Sequence, residues 1–326
     1  MINYTIFGES HGKAIGVVLT GLTSGIKIDE QAIAKEMARR APGNDATSTA
    51  RKEADKVEIL SGVFEGKTTG TPLCGIIYNT DTRSKDYSKL KEFPRPSHAD
   101  YTASVRYGGF ADYRGGGHFS GRLTAPLVFA GAVAKQILSQ RGITVSSKVS
   151  MLGGVSDPTM EQCQELILAA KADLDSVGGA ISCCIDGLTA GFGSPDLGEN
   201  VEGIFAKHLF AVPGVKGVEF GAGFAFAFMR GSEANDPFFM DGDTVKTKTN
   251  NAGGINGGIT NGMPITFRVA MRPTPSIAKQ QQTVSLTEKT DAELTIEGRH
   301  DPCIVLRALP VIEAAAALAT CELLEK

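Results

Sequence analysis

The chain has 326 residues, 42% of them hydrophobic and 21% charged, with a net charge of -3 and a pI near 6.0. That length and apolar fraction suffice for a substantial core, in two domains or one large duplicated one, and the acidic balance excludes a general nucleic-acid binder, which carries a basic excess. No apolar run reaches membrane-spanning length, and the first seven residues lack the basic and apolar regions of a signal peptide, so the cytoplasm is the expected location, with no membrane partner.

Tyr4 to Phe7 is strand-like and runs into Gly8-Glu9-Ser10-His11-Gly12. A histidine between glycines at a strand end is expected to be accessible and to titrate near working pH, which suits proton transfer. Ile15 to Leu19 is a short apolar run bounded by glycines and predicts a buried strand. Asp29 to Arg40 predicts an amphipathic helix capped by Asp29; Arg39 and Arg40 close it, where an arginine ordinarily serves the helix dipole.

Asn79 to Arg106 is the first of three long polar stretches, followed by Arg230 to Asn251 and Arg272 to Glu297; loops of that length are expected to cover an active site. Within the first, Arg95-Pro96-Ser97-His98-Ala99-Asp100 places a stiffening proline ahead of His98 and a carboxylate that could orient the ring or hold it protonated. The most informative segment follows: Asp112-Tyr113-Arg114-Gly115-Gly116-Gly117-His118-Phe119-Ser120-Gly121-Arg122 joins a glycine run to a long Ala-rich helix from about Thr124 to Gln140. Consecutive glycines can turn their N–H groups into a concavity, and the start of a helix adds positive potential, so this is a candidate anion site flanked by Arg114 and Arg122. The plainer reading is a tight loop with Ser120 as cap.

In the second half, Asp157-Pro158 predicts a cap and first-turn proline for a helix to about Ala172, and Ala180 to Ile185 predicts a buried strand. Asn250-Asn251-Ala252-Gly253-Gly254-Ile255-Asn256-Gly257-Gly258, with Arg272-Pro273-Thr274-Pro275-Ser276, can bring backbone against a flat heterocycle or phosphate; it matches neither a dinucleotide fingerprint nor a Walker loop. Gly298-Arg299-His300-Asp301-Pro302 could place Arg299 and Asp301 beside a ligand, or simply cap a helix, and an Ala-rich helix closes the chain from about Leu309 to Glu325. Arg40, Arg51, Arg106, Arg114, Arg122 and Arg299 gather beside these motifs, which suggests a small substrate with several negative charges. The six cysteines show no C-x-x-C pair and no zinc spacing, so they are expected to be reduced thiols and no metal is expected.

The chain also echoes itself. Residues 14–25 align without gaps on 180–191 with six of twelve identities, and four weaker matches follow in the same order, each half ending in an Ala-rich helix. One α+β domain spanning 1–326 is expected, with repeat halves of about 1–148 and 149–326.

Taken in order, Gly8 to Gly12, Arg39 to Gly43, Leu60 to Gly66, Thr68 to Pro72, Arg95 to Asp100, Tyr113 to Gly117, Asn251 to Ile255 and Gly298 to Cys303 resemble the signatures of the chorismate synthase family across nearly the whole chain. The resemblance implies a layered β-α-β sandwich with an internal pseudo-duplication, a homotetramer, and conversion of 5-enolpyruvylshikimate 3-phosphate to chorismate and phosphate by anti-1,4-elimination. It implies reduced FMN without net redox change, supplied by a separate flavin reductase with NADP as the associated nicotinamide. Catalytic roles fall on His11 near the departing phosphate, His98 near the flavin N1 side and Asp301 near flavin N5. Flavin contacts fall on His118, Phe119, Ser120, Asn251, Ala252, Gly257, Arg272, Pro273, Thr274, Pro275, Ser276 and Arg299, and substrate contacts on Ser10, Arg40, Arg51 and Arg114. His118 to Leu123 stands where relatives commonly have Arg-Ser-Ser-Ala-Arg-Glu, Ala46 stands where they have an arginine, and their leading strand is longer. A flavin-dependent oxidoreductase and a flavin- or phosphate-binding regulatory module are the competing readings.

Overall fold

A computed structural model describes residues 2–42, 54–80, 89–296 and 301–325. Two antiparallel sheets enclose a layer of helices. The first sheet pairs Asn3–Gly8 with Ala14–Thr20, then Leu73–Tyr78, then Glu58–Ser61. The second pairs Thr144–Leu152 with Gly179–Asp186, then Ile265–Met271, then Val215–Phe220, with the two-residue strand Val155–Ser156 at its other edge. Leaving aside the edge strand Val155–Ser156, each sheet has its four strands, numbered along the chain, in the order first, second, fourth, third. In each half a helix, Glu30–Arg40 or Val201–Phe210, separates the second strand from the third, and a long helix follows the fourth.

Those two long helices, Thr124–Ser139 and Val305–Leu323, form the middle layer: they pack on each other, the first against the N-terminal sheet and the second against the C-terminal one. A helix covered on all sides must be apolar all round. Alanines 314 to 317 are buried accordingly, and their small side chains let the axes approach until a Cβ on Gly131 would overlap Ala314. Phe129 is fully buried and fills the space left by Gly75 in the first sheet, so truncating it costs about 3–5 kcal/mol.

Charged groups inside this layer are paired. Glu313 receives Arg39, Lys135 and the Ser147 hydroxyl, joining both long helices to Glu30–Arg40 and the second sheet. Tyr4 Oη lies 3.2 Å from His208 Nδ1, and His208 Nε2 lies 2.9 Å from Glu322, which ties the first strand to the two C-terminal helices.

Several expectations need correction. The helix ending at Ala172 begins at Met160 and is capped by Thr159 in a capping box with Gln162, not by Asp157. The last helix starts at Val305, four residues before the predicted Leu309, and runs through Pro310; Asp301-Pro302 lies outside it. Ser120 caps only the short 3₁₀ turn Gly121–Leu123 that leads into the long helix at Thr124. The expected cap of the first helix is correct: Asp29 accepts from the N–H groups of Gln31 and Ala32.

Candidate active site

One cavity of about 710 Å³ opens between the glycine segment, the loop that carries His98, the segment after Ile265–Met271 and the start of the last helix. His11, His98 and Asp301, separated by up to 290 residues in sequence, all line it. So do Arg40, His118, Phe119, Ser120 and the run Arg272, Pro273, Thr274, Pro275 and Ser276.

The glycine run acts first on the histidines. Gly115, Gly116 and Gly117 all have positive φ, a conformation glycine adopts without strain. A Cβ on Gly115 would overlap the His11 ring and sit 2.9 Å from Ser10 Oγ, and one on Gly116 would sit 3.1 Å from His98 Cε1. The Ser10 N–H donates to the Gly117 carbonyl at 3.1 Å, which clips the His11 loop to the same segment. His11 is therefore buried, not accessible as its flanking glycines suggested. The glycine N–H groups do not form a simple nest either, since Gly116 N–H is taken by the Tyr113 carbonyl.

His98 is held from behind. Its Nδ1 lies 2.6 Å from Asp100 Oδ1, and Arg95 embraces the same carboxylate through Nε and Nη2 at 2.8 Å each. Burial pushes the Asp100 carboxyl up, but the hydrogen bonds from Arg95 and His98 outweigh it and hold Asp100 well below the usual carboxylate range. His98 Nδ1 is thus engaged by Asp100 and lies 3.0 Å from Arg95 Nη2, which leaves Nε2 for a ligand. Arg95 also donates to Ser276 Oγ at 3.0 Å, joining this loop to the predicted flavin-contact run. His118 Nδ1 likewise donates to the Gly8 carbonyl at 2.9 Å.

The floor is a cluster of three arginines and two aspartates. Asp55, fully buried, receives Arg40 on one oxygen and Arg122 on the other. Arg40 further donates to Thr124 Oγ1 at 3.1 Å. Burial and the neighbouring Arg307 and Arg122 draw Arg40 down to about 10 although Asp55 opposes this; it remains charged at neutral pH but crowded. Arg307 donates to Asp301 Oδ2. Burial raises the Asp301 carboxyl above its ordinary value with Arg307 only partly opposing, and Asp301 Oδ1 is buried without a hydrogen-bond partner.

Among the described residues, six basic side chains line the cavity (Arg40, Arg95, Arg122, Lys216, Arg272 and Arg307), against one lining carboxylate, Asp301, and two behind it, Asp55 and Asp100. With the apolar wall of Leu127, Met271, Ile304, Ala308 and Val311, this charge acts in a low-dielectric cleft and favours a multiply anionic ligand with a flat apolar part.

Other predicted site residues lie elsewhere. Arg114 pairs with Asp112 and does not line the cavity, and Ser10 lies under the glycine run, fully buried. Asn251, Ala252 and Gly257 are also away from it; the N–H groups of Asn251 and Ala252 bind the Asp236 carboxylate at 2.7 and 2.8 Å. The stretch Arg230 to Asn251 forms a short helix and a hairpin and contributes nothing to the lining, unlike the other two polar stretches. Arg51, Arg299 and the Ala46 departure lie outside the described residues. All six cysteines are free thiols, and no metal-binding cluster and no helix long and apolar enough to cross a membrane occur among the described residues. Sequence reasoning did not single out Asp55, Lys216 or Arg307. The signal for Arg307 is an arginine in the first turn of a mostly apolar, Ala-rich helix.

The family model for chorismate synthase matches residues 2–324. A chorismate synthase of Chitinophaga pinensis is 48% identical over 98% of this chain and 93% of its own length. Those of Methanosarcina mazei and Methanocaldococcus jannaschii are 46% and 44% identical over 98% and 100% of this chain and 93% and 95% of theirs. A solved structure described as a crystal structure of chorismate synthase superposes with a TM-score of 0.75 at 26% identity, covering 99% of this chain and 91% of that one.

Proposed function

The chain belongs to the chorismate synthase family, and we propose that it converts 5-enolpyruvylshikimate 3-phosphate to chorismate and phosphate with reduced FMN as cofactor. The observation that carries this reading is the convergence of His11, His98 and Asp301 on one cavity with those six basic side chains. Two carboxylates and a phosphate on a small ring call for that surplus of positive charge.

The residues present also suit a flavin. The cavity volume falls within the range of about 300–1,000 Å³ usual for small-molecule sites. Its apolar wall can take a flat ring, and Asp301 Oδ1 is a buried polar atom without a partner. Arg272 to Ser276 and His118 to Ser120 would hold the cofactor, which when bound in reduced form supplies transient electron donation that eases phosphate loss.

The chain's own groups do the rest. Arg40 and Arg122, fixed by Asp55, bind anionic groups of the substrate and orient them. His11 donates to the departing phosphate from its seat on Gly115. His98 presents Nε2 to the ring system, with Asp100 ready to stabilise a proton there. Asp301 holds or releases a proton at Oδ1. Turnover without net oxidation needs no nicotinamide site of the chain's own, so a separate reductase supplies the reduced cofactor. A cytoplasmic homotetramer, each chain with two repeat halves of about 1–148 and 149–326, completes the proposal; the shared strand order of the two sheets supports the repeat.

Anaerobic incubation with dithionite-reduced FMN and the phosphorylated substrate should yield chorismate and phosphate in equal amounts, and oxidised FMN should yield neither. Well-folded, flavin-binding protein that forms no product would refute the assignment. His11→Ala or His98→Ala with undiminished turnover would remove that residue from the mechanism.

A further inference from the structure

We propose that Arg307 is a positioning residue for Asp301, fixing which carboxyl oxygen meets the bound reactants. The role of Asp301 in the reaction rests on the function proposed above; its pairing with Arg307 does not.

Arg307 sits in the first turn of Val305–Leu323 and makes two contacts at once. One guanidinium nitrogen holds Asp301 Oδ2, and Nε donates to the backbone carbonyl of Arg40 at 3.1 Å. The side chain is thus anchored on the end of the first helix as well as on its own segment and cannot follow Asp301 if that carboxyl rotates. The Asp301 backbone is pinned separately, its carbonyl accepting the Thr274 hydroxyl at 2.6 Å. With Oδ2 committed, the exchangeable atom is Oδ1, which is buried and unpartnered at the cavity.

Among the described residues, the groups that act on the Asp301 carboxyl are Arg307, Arg40 across from it and Cys303 beside it; the Cys303 thiol is pushed up by burial to about 11 and stays neutral. Burial drives the carboxyl toward the protonated form, and Arg307 supplies most of the opposition. A neutral residue at 307 leaves only the Cys303 backbone N–H and the more distant charge of Arg40, whose guanidinium is already engaged by Asp55. The carboxyl then takes up its proton at higher pH.

The test uses [4-13C]aspartate-labelled full-length protein, with Asp301→Asn assigning the resonance, alongside the pH dependence of kcat with reduced FMN and the phosphorylated substrate. Arg307→Gln should raise the Asp301 midpoint by about one unit or more and shift the acidic limb of kcat equally, with KM changed much less. Arg307→Lys, which keeps the charge but loses the second anchor, should restore most of the midpoint and only part of kcat. An unchanged midpoint in the Gln variant, with kcat reduced evenly at all pH values, would overturn the proposal and leave Arg307 a structural residue. If the Gln variant does not fold, wild-type kcat at every pH in the Lys variant, which has lost the anchor on the Arg40 carbonyl, overturns it instead. Wild-type protein that titrates Asp301 but forms no chorismate would refute the function and leave the Arg307 pairing to be judged by the resonance alone.

Discussion

Gly115→Ala isolates the part of the glycine run that serves His11. At Gly115 φ is +60°, where an alanine costs about 1–2 kcal/mol relative to glycine. The added Cβ also overlaps the His11 ring, and relief must come from the ring because the backbone on either side is tied: Ser10 N–H to Gly117 carbonyl at 3.1 Å, Gly116 N–H to Tyr113 carbonyl at 3.2 Å. A ring displaced by about 1 Å from a reacting group loses about a hundredfold in rate. The expected variant is folded and less stable by about 1–2 kcal/mol in urea denaturation, with kcat for chorismate formation down about a hundredfold. Gly231→Ala is the control, since nothing lies within 4 Å of its Cβ, its φ is not positive and it does not line the cavity; it should behave as wild type. Wild-type kcat in Gly115→Ala together with the expected loss of stability would show that His11 need not sit where the glycine seats it, and the argument for the segment would fail.

Two further outcomes concern buried charge. Burial pushes Glu313 up, but hydrogen bonds from Arg39 and Lys135 and the Lys135 charge prevail and hold it at about 2, against 4.5 for a free carboxyl. A group depressed in the folded state contributes its stability above its unfolded pKa and loses it as pH falls toward the folded one, so Glu313→Gln should cost about 3 kcal/mol at neutral pH and less than half that near pH 3. A gap of equal size at both pH values, measured by urea denaturation, would contradict this. Asp55→Ala leaves Arg40 and Arg122 buried side by side without their shared acid, and should destabilise by about 3–5 kcal/mol; a loss below about 1 kcal/mol would mean that water or another acid replaces Asp55.

The layered architecture was legible because its signals are local. Apolar runs bounded by glycines marked Ala14–Thr20 and Gly179–Asp186, and Asp29 marked its helix by a capping geometry that depends on three residues. Where two local signals compete, the sequence misleads. Asp157-Pro158 looks like a helix start, yet Thr159 with Gln162 offers a reciprocal cap that satisfies two N–H groups where Asp157 could satisfy one. The last helix begins at Val305, before the predicted Leu309, and runs through Pro310, because burial between two sheets outweighs the hydrogen bond that a proline forfeits.

The site was legible only as far as its motifs carry chemistry in sequence. Asp100 two residues from His98, and Gly115 to Gly117 before a helix, could be read directly. The counter-charges could not, because Asp55 meets Arg40 and Arg122 across 15 and 67 residues and nothing local distinguishes it from a surface acid. What the fold adds is a reason for these pairings. Burial, aided by the neighbouring guanidinium groups of Arg307 and Arg122, draws down the pKa of Arg40, an arrangement that opposes folding by itself. Asp55 and Asp301 offset two of the three charges, which makes the cluster tolerable, and the remaining positive charge is left for a ligand to neutralise. The same acids therefore set both the stability of the empty site and its appetite for anions, and neither can be altered without moving the other.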